Sequence, residues 1–275
     1  MRIVSKEFLV DGHGMRIAKL AVKSPEIASK AKAGQFVVLM VEEKGERIPL
    51  TIVEADASNG LITIIVQAAG FTSSLLAGMN EGDTLYSIVG PLGHPTDVKK
   101  YGKVALIGGG VGIAEIYPVA KAMKDRGNYV AIIIGARSKD LLILEKELTG
   151  IADEMVVMTD DGSYGRKGFV TDALKQLLGR EKYDLAYAVG PIPMMRAVSD
   201  LSKSFAVVTL VSLNAIMVDG TGMCGCCRVK VGNDMKFSCV DGPEFEAWQV
   251  DWQELSIRNG IYAEQEKHIC RLNKA

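Results

Sequence analysis

Histidine is scarce, an excess of charge of either sign is absent, and no long apolar run occurs. The 275 residues include three histidines, at 13, 94 and 268, in unrelated contexts, and each reads as a structural or surface residue. No Ser-His-Asp set and no paired carboxylates accompany them, so acid–base and nucleophilic chemistry lack a constellation to work with. Lys plus Arg number 32 against 33 Asp plus Glu, for a net charge of −1. Without a basic block there is no phosphate-neutralising footprint, which argues against nucleic acid as a partner. The longest uncharged apolar run, residues 104–114, is 11 residues long and glycine-rich. A spanning helix needs ~20, so no membrane contact is expected. Residues 1–14 carry charges where a signal peptide has its apolar core, so the expected location is cytoplasmic. Cysteines number only five, and four fall within residues 224–239. That is no dispersed disulfide framework; clustered thiols read as a metal site.

Hydrophobic residues at 48% and charged residues at 24% are ordinary for a folded chain. The length suggests about two domains. Glycine is abundant, at 29 residues, and points to tight turns and close approach of backbone to ligands.

Three rhythms follow one another. Residues 1–97 hold short β-branched runs at 36–40, 49–53, 61–67 and 84–89, split by Gly, Asn or Asp, which predicts an antiparallel β-barrel. From residue 103 the pattern becomes strand-then-helix. Apolar strands at 103–108, 129–134, 155–159, 185–189 and 206–211 alternate with helices at 113–126, 140–149, 169–179 and 192–203. This predicts a five-stranded parallel, doubly wound α/β domain over residues 98–211. Residues 212–247 hold the cysteines as a small subdomain, and 248–275 read as a helical tail. On one helix Trp248, Trp252 and Leu255 would share a face, which predicts contact with a partner. Packing of the tail on its own chain is the competing reading.

The stretch GGGVGIA follows a strand and opens a helix, the context of a phosphate-binding turn. Gly108, Gly109, Gly110, Val111 and Gly112 would line it. The dinucleotide fingerprint is imperfect. Ile113 stands where a third glycine belongs, and the second strand runs into Gly135, Ala136 and Arg137 without an acidic residue. A merely tight turn is the alternative. Loops ending other strands add Ala136, Arg137, Asp160, Gly190 and Pro191 to the expected NAD(H) site. Arg137, with Arg166 and Lys167, would suit a 2′-phosphate, whereas Asp160 and Asp161 oppose one.

The cysteine segment reads VDGTGMCGCCRVKVGNDMKFSCVDGP. Plant-type iron–sulfur spacing is C-x4-C-x2-C…C. Counting back from Cys224 places Asp219 at the first ligand position, followed by Cys224, Cys227 and Cys239. Asp219 therefore reads as a carboxylate ligand of a [2Fe–2S] cluster, with Cys226 a spare thiol turned away and Cys270 a packed small residue. Structural zinc and a Cys226-ligated cluster are the alternatives.

The motifs AGQFV, RIPLTI, GFTSSLL, GPLG, GGGVGIA, DDGSYGRKGFVTD, VGPIPMM and CVDGPEF resemble the ferredoxin-reductase superfamily over nearly the whole chain. Within it the chain is most similar to two groups: small subunits of NADH-dependent ferredoxin:NADP oxidoreductases and electron-transfer subunits of dihydroorotate dehydrogenase B. The resemblance implies an FAD held by Arg47, Pro49, Leu50, Thr51, Gln67, Gly70, Thr72 and Ser73. The family arginine is displaced, with Ile48 in its expected place. It also implies NAD as the nicotinamide and a larger flavin and iron–sulfur subunit as partner, in a bifurcating complex. Dihydroorotate dehydrogenase subunits carry cysteine at the position of Asp219, which favours the first group. A colourless nucleotide-binding regulator with structural zinc is the contrasting class.

Overall fold

Residues 3–23 alternate apolar and charged side chains and form two long antiparallel strands, β1 (Ile3–Gly12) and β2 (Met15–Lys23). The structure, a computed structural model, describes residues 1–12 and 14–272. His13, residues 273–275 and the side chains beyond Ile269, Cys270 among them, lie outside the described residues. After the single turn α1 (Pro25–Ala28) come β3 (Phe36–Met40), β4 (Arg47–Thr51), β5 (Glu54–Asp56) and β6 (Leu61–Gln67). The helix α2 (Phe71–Gly78) and β7 (Ser87–Leu92) follow. Hydrogen bonding arranges these strands as two sheets, ordered β1-β2-β6-β5 and β4-β3-β7, and not as one continuous barrel wall. Ile3, Leu20, Val37, Leu39, Ile62, Ile64, Leu76 and Leu85 fill the core beneath both. Each such side chain contributes roughly 2 kcal/mol by leaving water.

Strand alternation gives the smaller sheet two distinct faces. Val37, Leu39, Ile48 and Leu50 pack on the core, so Val38, Met40, Arg47 and Pro49 take the other face. Pro49 is tolerated because β4 is an edge strand, where a missing N–H costs no ladder bond.

The second unit is built on β8 (Lys103–Gly109), β9 (Tyr129–Ala136), β10 (Glu154–Thr159), β11 (Arg166–Lys167), β12 (Leu185–Val189) and β13 (Thr209–Ser212). The helices α3 (Ile113–Asp125), α4 (Glu145–Thr149), α5 (Val170–Arg180) and α6 (Ile192–Ser204) connect them. The five expected parallel strands are all present. The sheet nevertheless has seven, ordered β11-β10-β9-β8-β12-β13-β16. The short β11 pairs parallel at one edge. The hairpin β14 (Arg228–Val231) and β15 (Asp234–Phe237) comes next in the chain. The other edge strand, β16 (Glu244–Glu246), lies antiparallel to β13.

The expected boundaries at 212 and 247 are corrected by this strand. Residues 214–243 and 251–275 belong to the compact unit of residues 1–95, whereas 244–250 belong with 96–213. Trp248 sits in a 3-10 turn (Ala247–Gln249), and Asp251 then caps a new helix, α7 (Trp252–Asn259), by accepting from the Glu254 amide. A further helix, α8 (Ala263–Leu272), ends the described chain. Trp248 and Trp252 thus do not share a helix face. Trp252 and Leu255 are instead buried within their own chain.

Glu244 opens β16 in a buried site, where its Oε1 accepts from Tyr187 at 2.9 Å and from Thr96. Burial pushes its carboxyl above the usual carboxylate range. A group whose folded pKa is raised stabilises fully below its unfolded pKa, and that contribution is lost as pH rises through the folded value. The expected result is that Glu244→Gln gains on the wild type between pH 5 and pH 8 in thermal melts. Glu244→Ala, which strands the two donors, should cost about 1–3 kcal/mol at either pH. A pH-independent difference for Glu244→Gln would contradict this.

Candidate functional site: a ligand loop and a nucleotide edge

The carboxyl ends of the parallel strands meet along one edge of the sheet. Gly108 on β8 pairs with Ile134 and Val189, and Gly109 with Gly135. Thr159 pairs with Ala136, and the Asp160 amide donates to the Ala136 carbonyl at 3.1 Å. Gly108, Gly109, Ala136, Asp160 and Gly190 are therefore brought to one rim. The strand order reverses on either side of β8, which creates the crevice where open α/β sheets bind ligands.

After Gly109 the chain makes a 3-10 turn over Gly110–Gly112 and enters α3. Gly112 is required by packing. A Cβ there would lie 2.6 Å from the Val189 carbonyl oxygen, so only glycine lets the helix start against β12. The first turn of α3 offers N–H groups without intrahelical acceptors to an anion. Arg137, Asp160 and Pro191 are exposed on the rim. Arg166 is engaged elsewhere, donating to Gln176 on α5 at 3.0 Å.

On the first unit, Gly70 caps α2. The Ser73 hydroxyl oxygen accepts from the amides of Ala69 and Gly70 at 3.1 and 2.8 Å. The buried Thr72 donates to Glu46, and Gln67 contacts the Met15 sulfur at 3.7 Å. Pro49, Leu50 and Thr51 are half-buried. Arg47 is turned to the other face of β4, where its Nη1 lies 3.6 Å from Asp219 Oδ1. Arg47 and Asp219 together line a cleft with Val38, Met40 and Thr221.

The ligand loop is seated on that same face. Gly220, at φ +82°, comes so close to β3 that a Cβ would meet Val38 at 2.7 Å. Asp219 accepts from the hydroxyl and the amide of Thr221, and these bonds hold its carboxyl below the usual carboxylate range. Cys227 and Cys239 are each 2% exposed, and their sulfurs lie 3.1 Å apart. Burial pushes the Cys239 thiol up to about 12.

All three expected sulfur ligands accept backbone N–H groups. Cys224 accepts from the amides of Cys226 and Asp219, which lower its pKa. Cys227 accepts from the Cys239 amide at 3.4 Å, and Cys239 accepts from Gly222. Such donors stabilise thiolates and tune iron–sulfur centres. Cys226 does not turn away as expected, because its thiol shares a hydrogen bond with Cys224. Among the described residues, no three of the His, Cys, Asp and Glu side chains converge on one ion-sized point. Cys227 and Cys239 meet through their sulfurs, and Cys224 lies against the backbone of Asp219.

Residues 214–251 match the family model for the iron–sulfur cluster binding domain of dihydroorotate dehydrogenase B, and 106–200 match the oxidoreductase NAD-binding domain. A Thermotoga maritima protein named as a homolog of the electron-transfer subunit of dihydroorotate dehydrogenase B (NAD(+)) is 50% identical. The match covers 90% of this chain and 87% of that one. The Fusobacterium nucleatum electron-transfer subunit itself is 34% identical, over 85% and 92%. The chain belongs to the family of dihydroorotate dehydrogenase B electron-transfer subunits. A solved structure described as the NADH-dependent reduced ferredoxin-NADP oxidoreductase, in work on flavin-based electron bifurcation, superposes with a TM-score of 0.93. It is 46% identical, covering 99% of this chain and 96% of that one. Within this family the nucleotide edge is an NAD-binding oxidoreductase site, and the cysteine loop is an iron–sulfur binding domain.

Sequence spacing had no way to find the supporting groups. Arg258 on α7 donates to the Cys226 carbonyl at 3.0 Å, and Arg228 donates to the Gly225 carbonyl at 3.2 Å. Asn259 holds the start of the segment through the Asn214 carbonyl at 2.9 Å.

Proposed function

We propose that this chain is the electron-transfer subunit of a larger flavoprotein complex. It exchanges hydride with NAD(H) through FAD and passes single electrons to its partner through a [2Fe–2S] cluster. The observation that carries the reading is the meeting of Cys227 and Cys239 in a buried loop, with backbone N–H groups donating to the sulfurs of Cys224, Cys227 and Cys239. Asp219, Cys224, Cys227 and Cys239 would hold the cluster. Pro49, Leu50, Thr51, Gly70, Thr72 and Ser73 would hold FAD, its pyrophosphate at the first turn of α2. Bound there, FAD supplies the conversion of a two-electron hydride into two single electrons. The protein's own part is to orient the nicotinamide at the glycine turn of β8, to exclude competing acceptors, and to supply the thiolate environment.

The partner we propose is a larger flavin and iron–sulfur subunit of a bifurcating ferredoxin:NADP oxidoreductase in the cytoplasm. The support is the 46% identity and near-complete overlap with the solved bifurcating protein, together with Asp219 at the first ligand position. No helix of the described residues is long and apolar enough to cross a membrane.

The purified protein tests this directly. It should show flavin bands over broad cluster absorption, and iron and acid-labile sulfide in equal amounts. NADH should bleach the flavin with an affinity roughly tenfold or more better than NADPH, about 1.4 kcal/mol. Of the three basic groups expected to meet a 2′-phosphate, Arg166 donates to Gln176, whereas Arg137 is exposed after β9 and Lys167 pairs with Thr159 beside the acidic Asp160 and Asp161. A colourless zinc protein would sink the reading, and preferential reduction by NADPH would overturn the choice of NAD.

A further inference from the structure

Three guanidinium groups from distant parts of the chain meet the ligand loop. Arg47 comes from β4, Arg228 from the start of β14, and Arg258 from α7. Arg47 faces the Asp219 carboxylate at 3.6 Å. Arg228 and Arg258 donate to the carbonyls of Gly225 and Cys226, the two residues that separate Cys224 from Cys227. A carbonyl bonded to a cation is polarised, and the N–H of the same peptide unit, which belongs to the next residue, becomes a better donor to sulfur. The Cys226 amide is a donor to the Cys224 sulfur.

We propose that Arg47, Arg228 and Arg258 form a cationic frame that holds the ligand loop and raises the reduction potential of the cluster carried by it. This rests on the iron–sulfur reading above. A cluster with four anionic ligands is negatively charged, and one more electron adds to that charge. Fixed positive charges therefore favour the reduced form, because net charge and hydrogen bonding to the ligands set such potentials. Neither arginine on the C-x-x-C turn forms an ion pair with a carboxylate among the pairs described, so both charges act on the loop. Their effects should differ with exposure. Arg258 is half-buried and anchored by α7, which Trp252 and Leu255 fix in place. Arg47 is 47% exposed and already shares its charge with Asp219. Arg228 is exposed. The expected order of influence is Arg258, then Arg47, then Arg228. All three are positioning residues.

The same geometry gives Arg47 a role at the loop. Its side chain leaves β4 on the same face as Pro49 and faces Asp219, so its charge also acts on the ligand loop.

The test is a potentiometric titration of the isolated holoprotein, followed by electron paramagnetic resonance of the reduced cluster, with iron and flavin content measured on each sample. Arg258→Gln keeps a donor for the Cys226 carbonyl but removes the charge. Its midpoint should move to more negative potential with iron retained. Arg47→Gln should move it less, without loss of FAD, and the double variant should show the sum. Arg258→Lys and Arg47→Lys should stay close to the wild type. Iron lost from Arg258→Gln but kept in Arg258→Lys would equally support the frame. An unchanged midpoint in the Gln variants, or equal shifts in the Gln and Lys variants, would overturn it, and so would iron lost from both. Loss of FAD from Arg47→Gln with an unmoved midpoint would return Arg47 to the flavin. A wild-type protein without acid-labile sulfide would defeat the iron–sulfur reading itself, a separate result.

Discussion

Cys227→Ala protein is expected to be isolated yellow, with flavin bound but with iron and acid-labile sulfide at background. Cys227 and Cys239 are the two buried members of the proposed ligand set, with sulfurs 3.1 Å apart. Losing one leaves its partner sulfur in a site already closed to solvent, where water is a poor replacement. The void alone costs about 1 kcal/mol by the volume of the missing atom. The larger effect is on the metal, because cluster binding is folding free energy for a loop with so little core of its own. Cys226→Ser should behave oppositely, since a hydroxyl can still donate to Cys224 and no ligand is lost. Asp219→Cys should retain the cluster with a shifted potential, because thiolate replaces a harder oxygen donor of the same charge. If Cys226→Ser loses iron while Asp219→Ala keeps its spectrum unchanged, the ligand assignment is wrong.

Gly112→Ala should abolish measurable NADH reduction of the flavin while leaving the iron content intact. The added methyl would sit 2.6 Å from the Val189 oxygen and 2.9 Å from the Gly190 nitrogen. Both are backbone atoms held by the sheet, so α3 must move instead of its neighbour. Such overpacking costs roughly 1–3 kcal/mol and shifts the start of α3, where the phosphates are expected to bind. Gly179→Ala is the control. It lies inside α5 with nothing within 4 Å of the new Cβ, and alanine in a helix should add about 0.5–1 kcal/mol. Calorimetry and NADH titration of both variants check the pair. Full NADH activity in Gly112→Ala would show that the turn is only a structural joint.

The five parallel strands were legible because strands buried on both faces read as unbroken apolar runs. β1 and β2 were not, since half of their side chains meet water and charges interrupt every run. β16 offers only Glu-Phe-Glu, and nothing in that tripeptide shows that Glu244 will be buried against Tyr187 and Thr96. The proposed ligands lie on one short segment, so their spacing stands in the sequence itself. Arg47 and Arg258 were not legible, because long-range folding decides which face of β4 or α7 meets the loop. The tail misled for a local reason. Four-residue spacing implies a shared helix face only if one helix spans it, and the Asp251 cap starts a new one between the tryptophans.

Ser212 and Glu244 stand directly opposite in the ladder between β13 and β16. The excursion through residues 213–243 therefore leaves and re-enters the nucleotide sheet at a single point, as a cassette spliced into a β-hairpin. Opposed antiparallel residues are only about 5 Å apart, a gap that a two-residue turn also closes. Evolution could thus exchange the redox cassette without disturbing the nucleotide sheet, and an engineer can do the same. Grafting a different metal-binding loop between Ser212 and Glu244 would keep hydride chemistry on one side of the splice and change the electron outlet on the other.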